Sequence, residues 1–397
     1  MAAHHAGRLT EAEVGYSRVL RTRANDPQAL YGLGLLSFHS GAIVKGIEYL
    51  RRCVESAPTH GRAWITLGSM HIAAGDSAAA VTAFWQATDV APDLSDGWYN
   101  AGICLKNEGD VVEASAHLRR ALACPEPNAQ AFEALASLLY QHGQTVEAAE
   151  TYAAWAAHEP RNPKALHMAA AAAGTLAPAR ASDEYVRTHF DAAAASFDGN
   201  LQKLGYRAPQ IIASALARGG FSSLELTGAA PSAASPVVLD AGCGTGLCGP
   251  LIRKLCGRLV GVDLSPKMLA LARLRGCYDE LVAAELSAFM RSRPNSCDAI
   301  VCADTLVYFG ALDEPLRAAH QALRPGGTLV FTVEALTEGS RAEDFRLELS
   351  GRYVHAEGYL RGALGASGFG IDSISRETLR EERSQNVAGY VVVSRRN

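Results

Sequence analysis

The sequence predicts an α + α/β chain: stacked helix pairs over the first half, then a mostly parallel sheet closing in an antiparallel hairpin. Three observations carry this. A 34-residue period runs through the first 160 residues. A β-branched run, "VVLD", opens at once into the glycine cluster "AGCGTGLCGPL". Strand and helix patterns then alternate to the end, where two strand-like runs flank a polar turn.

The period is read from one register. Trp64, Leu67, Gly68, His71, Gly75, Ala80, Phe84, Ala87 and Pro92 define it, and a step of 34 reaches Trp98, Ala101, Gly102, Leu105, Gly109, Ala114, Leu118 and Ala121. A further step gives Phe132, Leu135, Ala136, Gly143, Ala148, Tyr152 and Pro160, and a step back gives Leu30, Leu33, Gly34, Gly41, Gly46, Leu50 and Pro58. A small residue in the first helix lets the second approach, a glycine makes the turn, and proline ends the pair because it cannot extend the hydrogen-bond ladder. The stretch resembles tetratricopeptide repeats. Gly7, Ala12, Tyr16 and Val19 match only the second helix of an earlier repeat, so an apolar face there is expected to lack its cover.

Stacked pairs line a concave surface with the first helix of each pair. Register places Tyr31, Phe38, His39, Arg62, Tyr99, Lys106, Asn107 and Tyr140 there. Aromatics among amides and a few cations suit an extended peptide, so a protein or peptide partner is expected. Plain solvation of a polar face is the alternative.

After Pro160 and Pro163, the alanine-rich "KALHMAAAAAG" reads as a helix closing the array at Gly174, and "TLAPARA" as a linker. Two helices follow, one capped by Asp183 and carrying Tyr185, Phe190, Ala194 and Phe197, the other with Pro209 in its first turn. The expected domains are residues 1–174, a connecting segment 175–235, and an α/β domain 236–397.

"PVVLDAG" is the first strand of that domain, and its glycines fit two spacings, one typical of dinucleotides. Asp263 ends the second strand, "GRLVGVDLS", where a carboxylate can take both hydroxyls of a ribose. Asp240, immediately before the turn, separates the readings: it suits the ammonium of a methionine moiety and would repel a pyrophosphate. "CDAIVCADTLVYFG" and "ALRPGGTLVFTVE" supply further strands ahead of the closing hairpin.

With "VLDAGCGTG", "VGVDLSPKML", "CDAIVCADTLVYF" and "LRPGGTLVF" in place, residues 236–397 resemble a class I S-adenosylmethionine-dependent methyltransferase. The whole chain is similar to bacterial predicted methyltransferases that contain tetratricopeptide repeats. The resemblance implies a Rossmann-like, seven-stranded sheet with S-adenosylmethionine as cofactor. It assigns Asp240, Gly242, Cys243, Gly244 and Gly246 to the methionine end and Asp263 to the ribose. Leu264 and Met268 would lie against the adenine, with Glu285 and Leu286 beside its amino group. The acceptor would sit over strands four and five, near Asp304, Tyr308 and Glu334. "SGRYVHAEGYL" (350–360) is expected to form a loop and helix beside the pocket and brings Arg352, Tyr353 and His355, with His355 the expected general base. A helix-capping role for His355 is the alternative. Phe190, Tyr206 and Arg207 are candidates to lid the site.

Composition narrows the rest. A net charge of −4 with mixed signs gives no basic footprint for nucleic acid. No apolar run is long enough for a membrane span, and no metal-ligand cluster is evident. Nine scattered cysteines without a CxxC pair fit a reducing, cytoplasmic setting. The functions expected are methyl transfer to an oxygen or nitrogen acceptor with the repeats docking a protein or carrier-bound substrate, a small-molecule methyltransferase whose repeats serve assembly, or an interaction scaffold that binds cofactor without catalysis.

Overall fold

The computed structural model describes residues 8–174, 177–221, 235–336, 344–382 and 385–397. Gly7 and part of the expected linker lie outside the described residues. The chain divides into two compact units, Met1–His158 and Glu159–Asn397.

The first unit is helical. α1 (Leu9–Thr22) is followed by the pairs α2 (Pro27–His39) and α3 (Ile43–Ser56), α4 (Gly61–Ala73) and α5 (Ser77–Val90), α6 (Ser95–Glu108) and α7 (Val111–Leu122), and α8 (Gln130–Gln141) and α9 (Thr145–His158). The period has a direct packing cause. A Cβ on Gly34 would fall 2.6 Å from Leu50, one on Gly68 2.5 Å from Phe84, and one on Gly102 3.0 Å from Leu118. In the last pair Ala136 and Tyr152 take these places, both buried. The indole N–H groups of Trp64 and Trp98 each donate to the carbonyl of a proline six residues earlier, at 2.8 Å. α1 behaves as the second helix of a pair, packing Ala12 and Tyr16 on Ala29, Leu33 and Leu36, while Leu9 and Val14 are exposed.

The second unit opens with α10 (Pro163–Ala173), which the sequence assigned to the repeat array; by its contacts it groups with this unit instead. Its buried His167 stacks on Tyr185 at 4.0 Å and bonds the Gly351 carbonyl at 2.9 Å. α11 (Asp183–Ala193), a short turn and α12 (Phe197–Lys203) precede α13 (Ala208–Arg218). The cap of α11 is Ser182, which takes the Tyr185 N–H; Asp183, expected in that role, pairs with Arg180 at 2.7 Å.

The sheet follows: β1 (Val237–Ala241), α14 (Gly249–Ile252), β2 (Arg258–Asp263), α15 (Pro266–Leu274), β3 (Glu280–Ala283), α16 (Leu286–Arg291), β4 (Cys297–Cys302), α17 (Asp313–Ala322) and β5 (Leu323–Ala335). Then come β6 (Phe345–Leu347), β7 (Tyr353–His355), α18 (Glu357–Ala366), β8 (Phe369–Glu382) and β9 (Gln385–Arg396). Strands β3-β2-β1-β4-β5 run parallel in that order, and β9 joins β5 antiparallel with β8 outside it. The predicted hairpin closure is therefore present. The ribbon β6–β7, attached to the carboxyl end of β5 at Glu334 and Ala335, adds two strands to the seven expected. β7 forms where the sequence predicted a loop.

Alternation along the strands sorts the core into two layers. Val238, Leu259, Ala299 and Val330 face Ile212 and Leu216 of α13, while Leu239, Val260, Ile300 and Phe331 face Phe289, Leu316 and Leu364. The order reverses between β1 and β4, so the loops at their carboxyl ends diverge and leave a crevice. Among the described residues no helix is long and apolar enough to cross a membrane.

Candidate functional site

The crevice is a cavity of about 240 Å³, lined by the loop after β1, the ends of β2 and β4, and helices α11 and α12. Every lining residue lies in the second unit.

The glycine loop turns sharply because Gly242, Gly244 and Gly246 all adopt left-handed φ, at 76°, 53° and 81°. Gly242 has a second constraint. A Cβ there would come within 2.3 Å of Thr305, whose hydroxyl donates to the Ala241 carbonyl at 3.0 Å. A side chain at 242 would displace the loop from the end of β4. Asp263 fixes the next residues: its carboxylate accepts from the Gly244 N–H at 2.9 Å and the Ser265 N–H at 2.8 Å. Each oxygen keeps a lone pair for another donor. Burial raises the Asp263 pKa, offset by those N–H groups.

Asp240 is buried and accepts from the Tyr278 hydroxyl at 2.6 Å. Burial pushes its carboxyl up to about 7; the Tyr278 bond opposes the shift and nearby Asp263 adds to it. This is a carboxylate site short of a cation.

Asp240, Gly242, Cys243, Gly244, Asp263, Leu264, Glu285 and Leu286 line the cavity together. Gly246 and Met268 do not. Gly246 makes the turn into α14 against Tyr278, and Met268 is fully buried in α15, so neither is placed to touch a ligand in this cavity. Glu285 caps α16, accepting from the Ser287 and Ala288 N–H groups at 2.9 and 2.7 Å, so its carboxylate is partly committed to the helix.

α11 and α12 lie over this loop. Phe190, Tyr206 and Tyr308 line the cavity, and Phe190 meets Phe197 and Tyr308 edge-on at 5.8 and 5.4 Å. Arg207 is exposed and outside it, its N–H bonded to the Leu379 carbonyl. Sequence reasoning missed the acids that hold these helices down. Asp191 accepts from the Ser265 hydroxyl, and Asp198 accepts from the Thr245 hydroxyl and from Arg275. Isolated aspartates on an amphipathic helix carry no signal of such long-range partners.

At the far end Asp304 lines the cavity with Arg352, Arg380 and Glu382. Arg380 is buried and donates to Asp304 at 2.9 Å, to Glu382 at 2.7 Å and to Glu334. Arg352 donates to Glu334 at 2.5 Å and to Glu382 at 2.6 Å. Glu334, expected beside the acceptor, lies behind these arginines and does not line the cavity. Sequence reasoning did not find Arg380 and Glu382: Arg380 is buried next to buried Leu379 at a register shift between Thr378 and Arg380, where strand alternation gives no signal.

Two expected catalytic residues are misplaced. His355 is fully buried on β7, its Nε2 bonded to the Gly310 carbonyl at 3.1 Å and its ring stacked on Tyr359. Burial lowers its pKa to about 4, and it does not line the cavity. Nor does it cap α18, a position held by Ala356. Tyr353 is also fully buried, its hydroxyl donating to the Pro178 carbonyl at 2.6 Å. Both were placed near the site by sequence proximity to Arg352, and the alternation of β7 carries them into the core.

In the first unit a 290 Å³ cavity gathers Tyr31 and Arg62 with Asp93, Asp96 and Glu126. Phe38, Tyr99, Lys106, Asn107 and Tyr140 are not among its lining residues. Tyr99 and Tyr140 pack half-buried against the cluster of α6, α7 and α8. Among the described residues no group of three His, Cys, Asp or Glu is placed to hold a metal ion.

Residues 239–331 match the methyltransferase domain family, and residues 1–60 and 65–129 match the tetratricopeptide repeat. The chain joins tetratricopeptide repeats to a methyltransferase domain with a Rossmann-like sheet. It is 33% identical over 155 residues to the cellulose synthase operon protein C of Xanthomonas axonopodis pv. citri, covering 37% of this chain and 10% of that protein. It is 30% identical over 96 residues to a ubiquinone biosynthesis O-methyltransferase of Xanthomonas campestris pv. campestris, covering 23% and 40%. Among solved structures it is similar to magnesium protoporphyrin IX methyltransferase from Synechocystis, at 17% identity and a TM-score of 0.40, covering 54% and 100%. The chain spans less than half the length of these two curated relatives.

Proposed function

We propose that the chain is an S-adenosylmethionine-dependent methyltransferase that delivers a methyl group to an oxygen or nitrogen acceptor in the second unit's cavity. The carrying observation is that Asp240 and Asp263 close neighbouring strands on one cavity, with Gly244 bonded to Asp263 between them. The residues fit that cofactor. Asp240 lacks the cation its buried carboxyl calls for, Asp263 keeps lone pairs for a ribose diol, and the bend at Gly242 has no room for a Cβ.

The cofactor supplies an already activated methyl group. What remains for the chain is alignment and exclusion of water. Asp240 and Asp263 orient the two ends of the cofactor, while α11 and α12, fastened through Asp191 and Asp198, cover the bend. Titration calorimetry of the full chain with S-adenosylmethionine tests the reading. Binding is expected for the wild type and loss of the heat for Asp263→Ala; an unchanged affinity in that variant overturns it.

The domains we propose are a repeat domain over residues 1–158 and a methyltransferase domain over 159–397. The repeats dock a protein or carrier-bound substrate, and exposed Asn107 with Lys106 beside it is the place to test this. Lys106→Ala with Asn107→Ala is expected to weaken methylation of such a substrate while cofactor affinity stays constant. The nine free thiols support a reducing, cytoplasmic location. A second reading, a small-molecule enzyme whose repeats serve assembly, is favoured by the confinement of the cavity to one unit. It predicts full activity from residues 159–397 alone.

A further inference from the structure

Arg352 and Arg380 suggest a clamp for an anionic substrate, since guanidinium groups recognise carboxylates and phosphates. Their partners reverse that reading. Three carboxylates, those of Asp304, Glu334 and Glu382, share the two guanidinium groups, so one negative charge is left over. All three donating nitrogens of Arg380 are engaged by protein. Arg352 uses Nε and Nη2, leaving Nη1 without a protein partner among the described residues. Glu382 takes both arginines on Oε1, leaving Oε2 likewise open.

The two open groups belong to side chains already bonded to each other, Nη2 to Oε1 at 2.6 Å, and both residues line the cavity. One is a donor and the other an acceptor. A hydroxyl is complementary to such a pair, accepting from Arg352 and donating to Glu382. A carboxylate or phosphate could use only Arg352 and would bring a second negative charge beside Glu382, which is costly in a site only partly open to solvent. Apolar side chains, those of Phe190, Phe197, Leu201 and Leu204, also line the cavity.

We infer that the acceptor presents an uncharged hydroxyl on an apolar body, its oxygen held between Arg352 and Glu382, and that carboxylate and phosphate acceptors are turned away. This rests on the methyltransferase reading and narrows it. In the transfer an oxygen–carbon bond forms as the carbon–sulfur bond breaks, and its electron pair stays on sulfur. The hydroxyl proton passes to Glu382 Oε2 and from there to solvent, which reaches the partly exposed side chain. Burial raises the Glu382 pKa, but Arg352 and Arg380 outweigh it and leave the carboxyl below its usual range. That is no obstacle, because a methylated hydroxyl still carrying its proton is a far stronger acid than any carboxylic acid.

The test is calorimetry on the full chain saturated with S-adenosylhomocysteine, using 4-propylphenol and 4-propylbenzoate as probes of matched shape. The phenol is expected to bind at least about tenfold more tightly than the benzoate. Glu382→Gln, isosteric and less negative, should weaken the phenol and strengthen the benzoate, with S-adenosylhomocysteine affinity unchanged as the sign of an intact fold. Tritiated S-adenosylmethionine should label the phenol as its methyl ether, with no label on 4-propylbenzoate or 4-propylaniline. Equal or tighter benzoate binding, absence of phenol binding at millimolar probe, or preferential labelling of benzoate or aniline overturns the inference. Failure of S-adenosylhomocysteine itself to bind is a separate result, one that removes the underlying methyltransferase reading.

Discussion

Arg380 donates to Asp304 at 2.9 Å, tying hairpin strand β8 to the carboxyl end of β4. Asp304 needs the tie, because its φ of 50° is one that side-chain-bearing residues rarely hold. Its N–H donates to Thr332 Oγ1 at 2.8 Å, and the Thr332 hydroxyl donates back to its carboxylate at 2.6 Å. Arg380→Met leaves three carboxylates with one guanidinium in a largely buried cluster. The expected loss is about 3–5 kcal/mol of stability, read from the urea midpoint. A loss below about 1 kcal/mol would mean that the cluster is hydrated and that its charges are weakly felt.

Cofactor affinity should depend on pH through Asp240. In the free protein burial pushes this carboxyl up to about 7, so below that pH it carries a proton. A cationic ligand favours the ionised form, and binding must expel the proton. Affinity is therefore expected to fall as pH drops through 7, by up to about tenfold per unit. Calorimetry in two buffers of different ionisation enthalpy should show proton release on binding near pH 6.5. A dissociation constant that is flat from about pH 6 to 8 would dispose of the role given to Asp240.

His355 offers the opposite case. Burial lowers its pKa to about 4, so it is neutral at physiological pH, and its ring is enclosed by Phe345 and Tyr359. His355→Gln should leave the pH profile of methyl transfer unchanged. It should cost about 1–2 kcal/mol of stability through the Gly310 hydrogen bond and altered packing. Disappearance of a titration near neutrality in the variant would restore His355 as a base.

These cases show which parts of the protein are legible in sequence. The helix pairs are, because each small residue at the seam opposes a large one sixteen positions later, and both recur every 34. The end of the cavity proposed for the cofactor is legible for a similar reason: Asp240, Gly242, Gly244 and Asp263 lie at or beside strand ends within one short segment. The end proposed for the acceptor is legible only in part: Phe190, Asp304, Tyr308 and Arg352, expected there, line the cavity, whereas Arg380 and Glu382 reach it from β8, far away in sequence and without a motif. The failure at His355 is local, since reading 350–360 as a loop and helix hid the alternation that turns it inward.

His167 couples the start of the second unit to that acceptor end. Its ring stacks on Tyr185 at 4.0 Å, and its Nε2 N–H donates to the carbonyl of Gly351, the residue before Arg352. Gly351 holds φ at 78°, and a Cβ there would come 2.9 Å from the Tyr185 hydroxyl oxygen, so the loop is seated on α10 and α11 through a glycine. Removing the ring frees this loop without touching Asp240 or Asp263. His167→Ala should raise KM for the acceptor about fivefold, the worth of roughly one hydrogen bond, with S-adenosylmethionine affinity unchanged. A fragment beginning at 177 should share the defect, because it lacks α10, whereas one beginning at 159 should not. Equal acceptor kinetics for the two fragments would show that the loop holds Arg352 without help from α10.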